Sequence, residues 1–219
     1  MPILPEPLGV FGGTFDPVHF GHLRLAEEAA DHLGLGAIVW IPAGHPAHRE
    51  QPRVTARHRL DMVQLAIAGN PAFLLDPAEV EAARPSYTVP TLERLRAEYG
   101  PERPLVLLVG ADAFASLPTW HRWHELFELA HVGVAYRPGF PVEPECLPPE
   151  LAEQFERRRV NSAGLQAQPA GGIATFPMTQ LAISATQIRQ LLAAGRSPRY
   201  LLPAAVLDYI ETNHLYRNA

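Results

Sequence analysis

The chain of 219 residues contains no lysine, and all 18 of its basic residues are arginine. This absence excludes Schiff-base chemistry at a lysine amine, and it excludes P-loop and kinase-type nucleotide sites, whose lysine contacts phosphate groups. A GC-rich genome is the simplest cause of such a bias, and thermal adaptation is the alternative. Any phosphate site in this protein must therefore do without a lysine amine.

Disulfide bonds, membrane spans and a nucleic-acid partner are also disfavoured by the composition. The single cysteine cannot form an internal disulfide, and the longest apolar run, residues 104–117, is interrupted by Gly110 and Asp112 before it reaches the ~20 residues of a membrane-spanning helix. A net charge of −5 argues against a partner that presents many phosphates. The opening MPILPEP lacks the basic and apolar regions of a secretion signal. We expect a cytoplasmic protein with neither a membrane nor a nucleic-acid partner.

Short apolar runs alternate with longer segments of helical period, a pattern typical of βαβ units. It predicts an α/β fold, a Rossmann-like doubly wound parallel sheet with helices on both faces. The predicted strands are residues 8–11, 37–41, 73–75, 105–109, 132–136 and 173–176, and the predicted helices are 23–33, 54–68, 91–99, 121–129, 185–194 and 204–212. Residues 137–150, which are rich in proline, and residues 161–172 are expected to be irregular. We expect one domain over residues 1–219, with the C-terminal helices from about residue 184 packed on the same core.

The segment GGTFDPVHFGH, residues 12–22, has the composition of an anion site. Gly12 and Gly13 follow a predicted strand and let the main chain approach a ligand closely. Asp16 followed by Pro17 predicts a helix start, whose free N–H groups attract negative charge. The spacing is not the G-x-G-x-x-G of dinucleotide-binding enzymes. The segment therefore predicts phosphate binding of another kind.

His19 and His22 lie three residues apart in this segment, so both side chains share one face if the segment is helical. Each ring can donate an N–H to a phosphate oxygen. The alternative is a pair of partly buried histidines that hydrogen-bond the main chain. The glycines before them favour the phosphate role.

A second candidate anion site lies late in the chain, at ISATQIR, residues 183–189. Ser184 and Gln187 have the spacing of a capping box, which predicts a helix that begins at this point. The first N–H groups of that helix, the Thr186 hydroxyl and the Arg189 guanidinium can all contact an anion. The alternative is an ordinary capped surface helix.

Four segments together resemble the bacterial nicotinate-nucleotide adenylyltransferases of the nucleotidyltransferase superfamily, along nearly the whole chain. They are GGTFDPVHFGH, RPSYTVPTLERLR, VGADAFASLPTWHRW and ISATQIRQLLAAGRSPRYLLPAAVLDYI, which begin at residues 12, 84, 109 and 183. The resemblance implies a single nucleotidyltransferase domain that transfers the adenylyl group of ATP to nicotinate mononucleotide, giving deamido-NAD and pyrophosphate in NAD biosynthesis. The alternatives are transfer to nicotinamide mononucleotide or to phosphopantetheine, and a sensor of ATP or a pyridine nucleotide without turnover.

The resemblance also assigns residues to the reaction. His19, His22 and Arg189 are the predicted catalytic residues, and ISATQIR is expected to contact the β- and γ-phosphates, with Ala185 in place of the usual hydroxyl residue. The predicted ATP-binding residues are Gly12, Gly13, Thr14, Phe15, His19, His22, Gly110, Ile183, Ser184, Thr186 and Arg189.

The acceptor is expected to bind residues from two other segments. By resemblance, the nicotinate ring stacks on Trp120, and its carboxylate accepts hydrogen bonds from Thr88 and from the main-chain N–H of His121. Taken alone, Trp120 fits core or rim packing better than a ligand-stacking role. Asp112 follows a strand and suits ribose hydroxyls, with a helix cap as the alternative.

Two family segments depart from the usual pattern. IPAGHPAHR, which begins at residue 41, resembles the family loop that borders the mononucleotide site, so the resemblance implies that His48 lies beside this site, and Ala47 replaces a proline. Pro90 stands where the family pattern has aspartate, which can shift the start of the next helix.

Three H-x-x-H pairs raise the question of a protein-bound metal, since imidazoles three residues apart can share zinc. No acidic side chain completes a ligand set in these motifs, so we expect no metal ligand from the protein and Mg²⁺ carried by ATP. The expected partners are ATP and nicotinate mononucleotide. The sequence makes no prediction of the oligomeric state.

Overall fold

The structure, a computed structural model, describes residues 5–46, 51–82 and 84–217. It contains a six-stranded sheet in which the strand order is β3-β2-β1-β4-β5-β6. The strands are β1 (Leu8–Gly13), β2 (Ala37–Pro42), β3 (Phe73–Leu75), β4 (Leu105–Gly110), β5 (His131–Tyr136) and β6 (Ile173–Pro177).

The strand order identifies the topology. β1 pairs with β4 in parallel, Leu8 opposite Leu105, and β4–β5 and β5–β6 are parallel as well. The chain builds outward from β1 to β3 and then returns to place β4 on the other side of β1, which is the order of a doubly wound sheet. Right-handed crossovers in the two directions put helices on opposite faces. The predicted Rossmann-like α/β fold is confirmed.

The α-helices of the described residues match most of the predicted ones to within three residues at each end. α2 begins after Thr55, whose hydroxyl accepts a hydrogen bond from the His58 N–H. α4 begins at Thr88, three residues before the predicted start. Pro90 is tolerated there because it lies in the first turn, where main-chain N–H groups have no acceptor within the helix. The helices are α1 (Phe20–Leu33), α2 (Ala56–Ile67), α3 (Ala78–Glu81), α4 (Thr88–Tyr99), α5 (Ala111–Ala115), α6 (Leu126–Leu129), α7 (Pro149–Arg158), α8 (Ser162–Ala167), α9 (Ala185–Ala193) and α10 (Ala204–Thr212).

Three predictions about the helices and loops were wrong, one of them only at the end of its segment. The predicted helix over residues 121–129 is broken: Arg122 has a φ of +58°, followed by a 3-10 turn, Trp123–Glu125, and the short α6. The segment 137–150 is irregular as predicted apart from the 3-10 turn Pro144–Cys146, but its last two residues begin α7, since proline suits the first position of a helix. Residues 161–172 contain α8, which the Asn161 side chain caps by accepting the Gly164 N–H.

The described residues divide into two compact units. The first comprises Met1–Phe11, Leu25–Val39 and Tyr87–Thr179, and the second comprises Gly12–Arg24, Trp40–Ser86 and Gln180–Ala219. The single-domain organisation stays a prediction. Among the described helices, none is long and apolar enough to cross a membrane.

The first unit has its core around β4 and β5, whose residues are nearly all buried. Phe114 of α5 packs edge-on against Phe155 of α7, with ring centroids 5.9 Å apart. Arg96, near the end of α4, donates to the carbonyl oxygens of Leu129, the last residue of α6, and of Pro169, in the loop before β6. The Phe114 contact lies just beyond the carboxyl end of β4, whereas the Arg96 hydrogen bonds lie at its amino end, where Leu105 N–H also donates to the Pro169 oxygen.

The second unit has its core between α2 and α10, which pack together. The apolar faces meet through buried leucine, valine and isoleucine residues, and the polar rim is closed by Tyr209. Its hydroxyl donates to Asp61 Oδ2 at 2.9 Å and lies 3.0 Å from His58 Nδ1. The C-terminal helix is thus fixed to the segment that follows β2.

Candidate active site

The carboxyl end of β1 is open on one side. A Cβ placed on Gly12 would meet no atom within 4 Å, whereas a Cβ on Gly13 would lie 2.8 Å from the Phe15 ring. Phe15 is buried in the left-handed region with a φ of +49°, an uncommon conformation for a bulky residue. The turn after β1 therefore requires glycine at position 13 and leaves the main chain at Gly12 accessible to a ligand.

The two predicted histidines lie together at the start of α1. Their rings stack with centroids 3.7 Å apart, and the His19 N–H donates to His22 Nδ1 at 3.2 Å. Because Nδ1 of His22 accepts this bond, the neutral His22 ring has its proton on Nε2 and donates from that atom. A Cβ on Gly21 would lie 3.0 Å from His19 Nδ1, so the lack of a side chain at Gly21 gives the His19 ring room in the stack.

His19 is nearly buried, and this burial decides its charge. Loss of hydration lowers the pKa of His19 to about 4, so the ring is neutral at pH 7. Within the described residues, its Nδ1 is buried without a hydrogen-bond partner. Leaving such an atom unsatisfied costs about 1–3 kcal/mol, and a bound ligand is one way to satisfy it.

The second predicted anion motif lies in the same unit as the histidines. Ser184 caps α9 by accepting the Gln187 N–H at 3.1 Å, as its sequence predicts. Arg189 donates from Nη1 to the Asp16 main-chain oxygen at 2.7 Å and from Nη2 to the Thr186 hydroxyl at 3.2 Å. The guanidinium therefore lies against the loop that carries His19. Ile183, just before the cap, is half-buried, with its main-chain oxygen 3.8 Å from the Cβ position of Gly21.

The predicted helix start at Asp16 was wrong. Asp16 and Pro17 form a turn with a cis peptide bond, and α1 begins only at Phe20. The Asp16 carboxylate has other partners, accepting the Arg53 N–H at 2.8 Å and the Tyr216 hydroxyl at 2.6 Å. Its role is to connect chain segments, and the local sequence contains no sign of these distant partners.

Arg59 is a further residue that the sequence did not single out. It is fully buried and donates to the main-chain oxygens of Thr14 and Gly44 at 2.7 and 3.0 Å. Burial lowers the pKa of Arg59, and the negative charge of Asp16 opposes that shift. Arg57, two residues earlier, is exposed, so arginine identity alone does not distinguish the two.

Four of the five residues assigned to the acceptor lie in the first unit: Thr88, Asp112, Trp120 and His121. Thr88 is the first residue of α4, and Trp120 is half-buried after the 3-10 turn Leu117–Thr119. The rings of Tyr87 and His121 approach with centroids 4.8 Å apart, which brings the SYT and LPTWH segments together. The pairing of these two segments was predicted from the sequence.

The positive charge of Arg122, which lies beside the SYT and LPTWH segments, is neutralised by two acidic side chains. Arg122 forms ion pairs with Glu93 at 2.7 Å and with Glu125 at 2.5 Å. Its hydrogen bonds to these carboxylates raise the pKa of Arg122 and lower the pKa of Glu125. The arginine next to LPTWH is therefore engaged by acidic residues of its own unit.

Of the other predicted site residues, Gly110 and Asp112 lie at or just after the carboxyl end of β4. Gly110 is the last residue of β4, and a Cβ there would meet no atom within 4 Å. Asp112 is exposed at the second position of α5, and Gly110 occupies the cap position, so the helix-cap alternative for Asp112 was wrong. His48 lies outside the described residues. In the part of the chain that the structure describes, no group of three or more His, Cys, Asp or Glu side chains could hold a metal ion.

Comparison with known proteins gives one consistent family. Residues 10–191 match the cytidylyltransferase-like family. The probable nicotinate-nucleotide adenylyltransferase of Dechloromonas aromatica is 69% identical over 217 residues, which cover 99% of this chain and 100% of that protein. The protein of the same description from Pseudomonas aeruginosa is 48% identical over 210 residues, covering 96% of this chain and 97% of its own length.

A solved structure supports the fold. Plasmodium falciparum nicotinic acid mononucleotide adenylyltransferase, complexed with NaAD, superposes with a TM-score of 0.72 at 15% identity, over 97% of this chain and 98% of that one. The full-length identity to bacterial relatives, the strand order and the paired anion motifs agree with one another. The chain belongs to the cytidylyltransferase-like family and, within it, to the nicotinate-nucleotide adenylyltransferases.

Proposed function

We propose that the chain transfers the adenylyl group of ATP to nicotinate mononucleotide, with His19, His22 and Arg189 stabilising the charge that develops during transfer. The observation that carries the proposal is the stacked histidine pair beside the open end of β1, in the same unit as an arginine held against the same loop. The names of the bacterial relatives agree with this reaction.

The chemistry requires no nucleophile from the protein. A phosphate oxygen of nicotinate mononucleotide forms a bond to the α-phosphorus of ATP, and the bond from that phosphorus to the bridging oxygen breaks. Pyrophosphate leaves with the electron pair, and deamido-NAD is the other product. Positioning of the reactants and stabilisation of charge on the phosphate oxygens are what the protein supplies.

The three residues supply different kinds of stabilisation. His22 donates from Nε2, and neutral His19 acts as a hydrogen-bonding group without a charge of its own. Arg189 provides the positive charge, and its planar fork can span two phosphate oxygens. The first N–H groups of α9, beside the Thr186 hydroxyl, add the partial positive charge of a helix start.

The acceptor is assigned to Thr88, Trp120 and His121, with Asp112 on the ribose and His48 beside the mononucleotide. Thr88 and the His121 N–H are neutral donors suited to a carboxylate, and the half-buried Trp120 offers a ring for stacking. Magnesium enters with the substrate as Mg-ATP. The hard oxygen ligands that it prefers are then the phosphates themselves.

Release of pyrophosphate and identification of the nucleotide product test the proposal. Purified protein is mixed with Mg-ATP and, separately, with nicotinate mononucleotide, nicotinamide mononucleotide or phosphopantetheine. The proposal expects pyrophosphate and deamido-NAD in equal amounts with the first acceptor. Faster release with another acceptor would reassign the substrate, and ATP binding without release from any acceptor would identify a sensor.

A further inference from the structure

Asp16 receives hydrogen bonds from three separate segments of the second unit. Its Oδ1 accepts the Tyr216 hydroxyl at 2.6 Å, its Oδ2 accepts the Arg53 N–H at 2.8 Å, and its main-chain oxygen accepts Arg189 Nη1 at 2.7 Å. The side chain is 6% exposed. Asp16 is therefore the point at which the C-terminal segment, the segment before α2 and α9 are tied to the loop after β1.

The Tyr216 hydroxyl is a permanent donor in this arrangement. Burial raises the pKa of Tyr216 far above that of an exposed phenol, and the neighbouring Asp16 carboxylate raises it further. A bond from a phenol to a buried carboxylate is of the stronger, charge-assisted kind. Buried Arg59 attracts the same carboxylate from within the unit.

We propose that Tyr216 is a positioning residue for adenylyl transfer, which holds the Asp16 carboxylate and, through the Asp16 main-chain oxygen, sets the position of the Arg189 guanidinium. With both carboxylate oxygens held, the main chain at Asp16 cannot rotate without breaking the bonds to Tyr216 and Arg53. A fixed carbonyl then gives Arg189 a fixed acceptor, and the long side chain loses freedom that would cost phosphate binding. The inference rests on the proposed role of Arg189 in the reaction.

The Tyr216→Phe substitution removes the hydroxyl and keeps the ring. Misplacement of a charge-stabilising group by about 1 Å can cost 10²-fold in rate, so we expect kcat to fall by roughly 10-fold or more. Affinity for Mg-ATP should weaken as well, since Arg189 loses its fixed geometry.

Tyr209→Phe is the matched control. Tyr209 also belongs to the C-terminal part of the chain and also donates to a carboxylate, Asp61 Oδ2 at 2.9 Å. Among the described residues, its side-chain hydrogen bonds and ring contact are with Asp61 and His58 of α2, and none is with the loop after β1. We expect this variant to lower the melting temperature and to leave kcat within about twofold of wild type.

A double-mutant cycle with Arg189→Ala separates positioning from general structural damage. If Tyr216 acts through Arg189, the Tyr216→Phe effect on kcat and on the Kd of Mg-ATP should shrink to less than about twofold in the Arg189→Ala background. An effect of equal size in both backgrounds would overturn the proposal. Tyr209→Phe should show no such coupling.

Two further measurements keep the test decisive. Asp16→Asn weakens the same bond from the other side and should show the same coupling to Arg189, even if the Tyr216 variant is poorly folded. Binding of Mg-ATP by calorimetry does not depend on turnover. Absence of pyrophosphate release by wild type would therefore refute the proposed function, whereas uncoupled Kd values would refute the positioning role alone.

Discussion

His19 and His22 are neighbours in space with the same side chain, yet their environments prepare them differently. His22 receives a main-chain N–H on Nδ1, which fixes its donor nitrogen, while His19 is nearly buried with an unsatisfied Nδ1 in the described structure. The sequence spacing predicted that the two rings share a face. It could not predict the stack. His19 is the last residue of the loop before α1, which begins at Phe20, and the stack also depends on the room beside Gly21.

His22→Ala should lower kcat far more than it weakens ATP binding. The hydrogen bond from His22 strengthens as negative charge develops on the reacting phosphate, so its loss is felt mainly in the transition state. Loss of one such donor is worth on the order of 10²–10³ in rate. Steady-state kinetics and calorimetric binding of ATP check this, and an unchanged kcat would remove His22 from the catalytic set.

His19 should make the stability of the nucleotide-free protein depend on pH. Its pKa is about 4 in the folded protein against 6.5 in an unfolded chain, so between these values the unfolded state binds the extra proton. The free energy of unfolding should therefore fall as pH drops through this window, by up to about 1.4 kcal/mol per pH unit from this residue.

Denaturant unfolding of wild type and His19→Gln between pH 7 and pH 4 measures this contribution. The variant should have the shallower pH dependence. His124→Gln, at an exposed position, should keep the slope of wild type. Parallel curves for wild type and His19→Gln would show that the His19 pKa is not lowered by burial.

Helix α9 begins at a capping residue, Ser184, that the sequence identifies, and its first turn belongs to the proposed phosphate site. Ser184→Ala removes a side-chain cap, which typically costs about 1 kcal/mol, and frees the first turn that is proposed to meet the phosphates. We expect a lower melting temperature together with weaker binding of Mg-ATP. The matched control is Asn161→Ala, which removes the cap of α8 in the other unit and should lower stability without weakening ATP binding. Equal ATP affinity in the two variants would show that the first turn of α9 does not bind the phosphates.

Several elements with local sequence signals were predicted well, although α8 was missed despite its Asn161 cap, and features that depend on distant contacts were not predicted. Apolar period and capping residues located β3, α9 and α10 to within one residue at each end. The helix over 121–129 failed because Arg122 adopts a left-handed conformation, with its guanidinium paired to Glu93 of α4. Tyr216 and Arg59 were missed because their partners lie far away in sequence.

At the scale of the whole molecule, alternation of strands and helices was sufficient to predict the doubly wound sheet. The cytoplasmic location and the single domain stay predictions. Strands β1 and β2 each begin in the first compact unit and end in the second, so the two units share covalently continuous strands. We expect one cooperative unfolding transition, with coincident curves from far-ultraviolet circular dichroism and tryptophan fluorescence. Two separated transitions would contradict a single domain.

Adenylyl transfer to nicotinate mononucleotide is best tested by the choice that the chain makes between nicotinate and nicotinamide mononucleotides. The assigned donors Thr88 and the His121 N–H are neutral, and Arg122 beside them is engaged by Glu93 and Glu125. A carboxylate accepts stronger hydrogen bonds from such donors than a carboxamide, whose NH₂ would face an N–H and stay unpaired.

The measurement is kcat/KM for nicotinate mononucleotide and for nicotinamide mononucleotide, in wild type and in Thr88→Val, which keeps the shape and removes the hydroxyl. We predict a preference of roughly 10²-fold or more for nicotinate in wild type. Thr88→Val should reduce that preference, mainly by slowing the reaction with nicotinate. Equal use of both mononucleotides by wild type would contradict the assigned substrate and the assignment of Thr88 and His121 to its carboxylate.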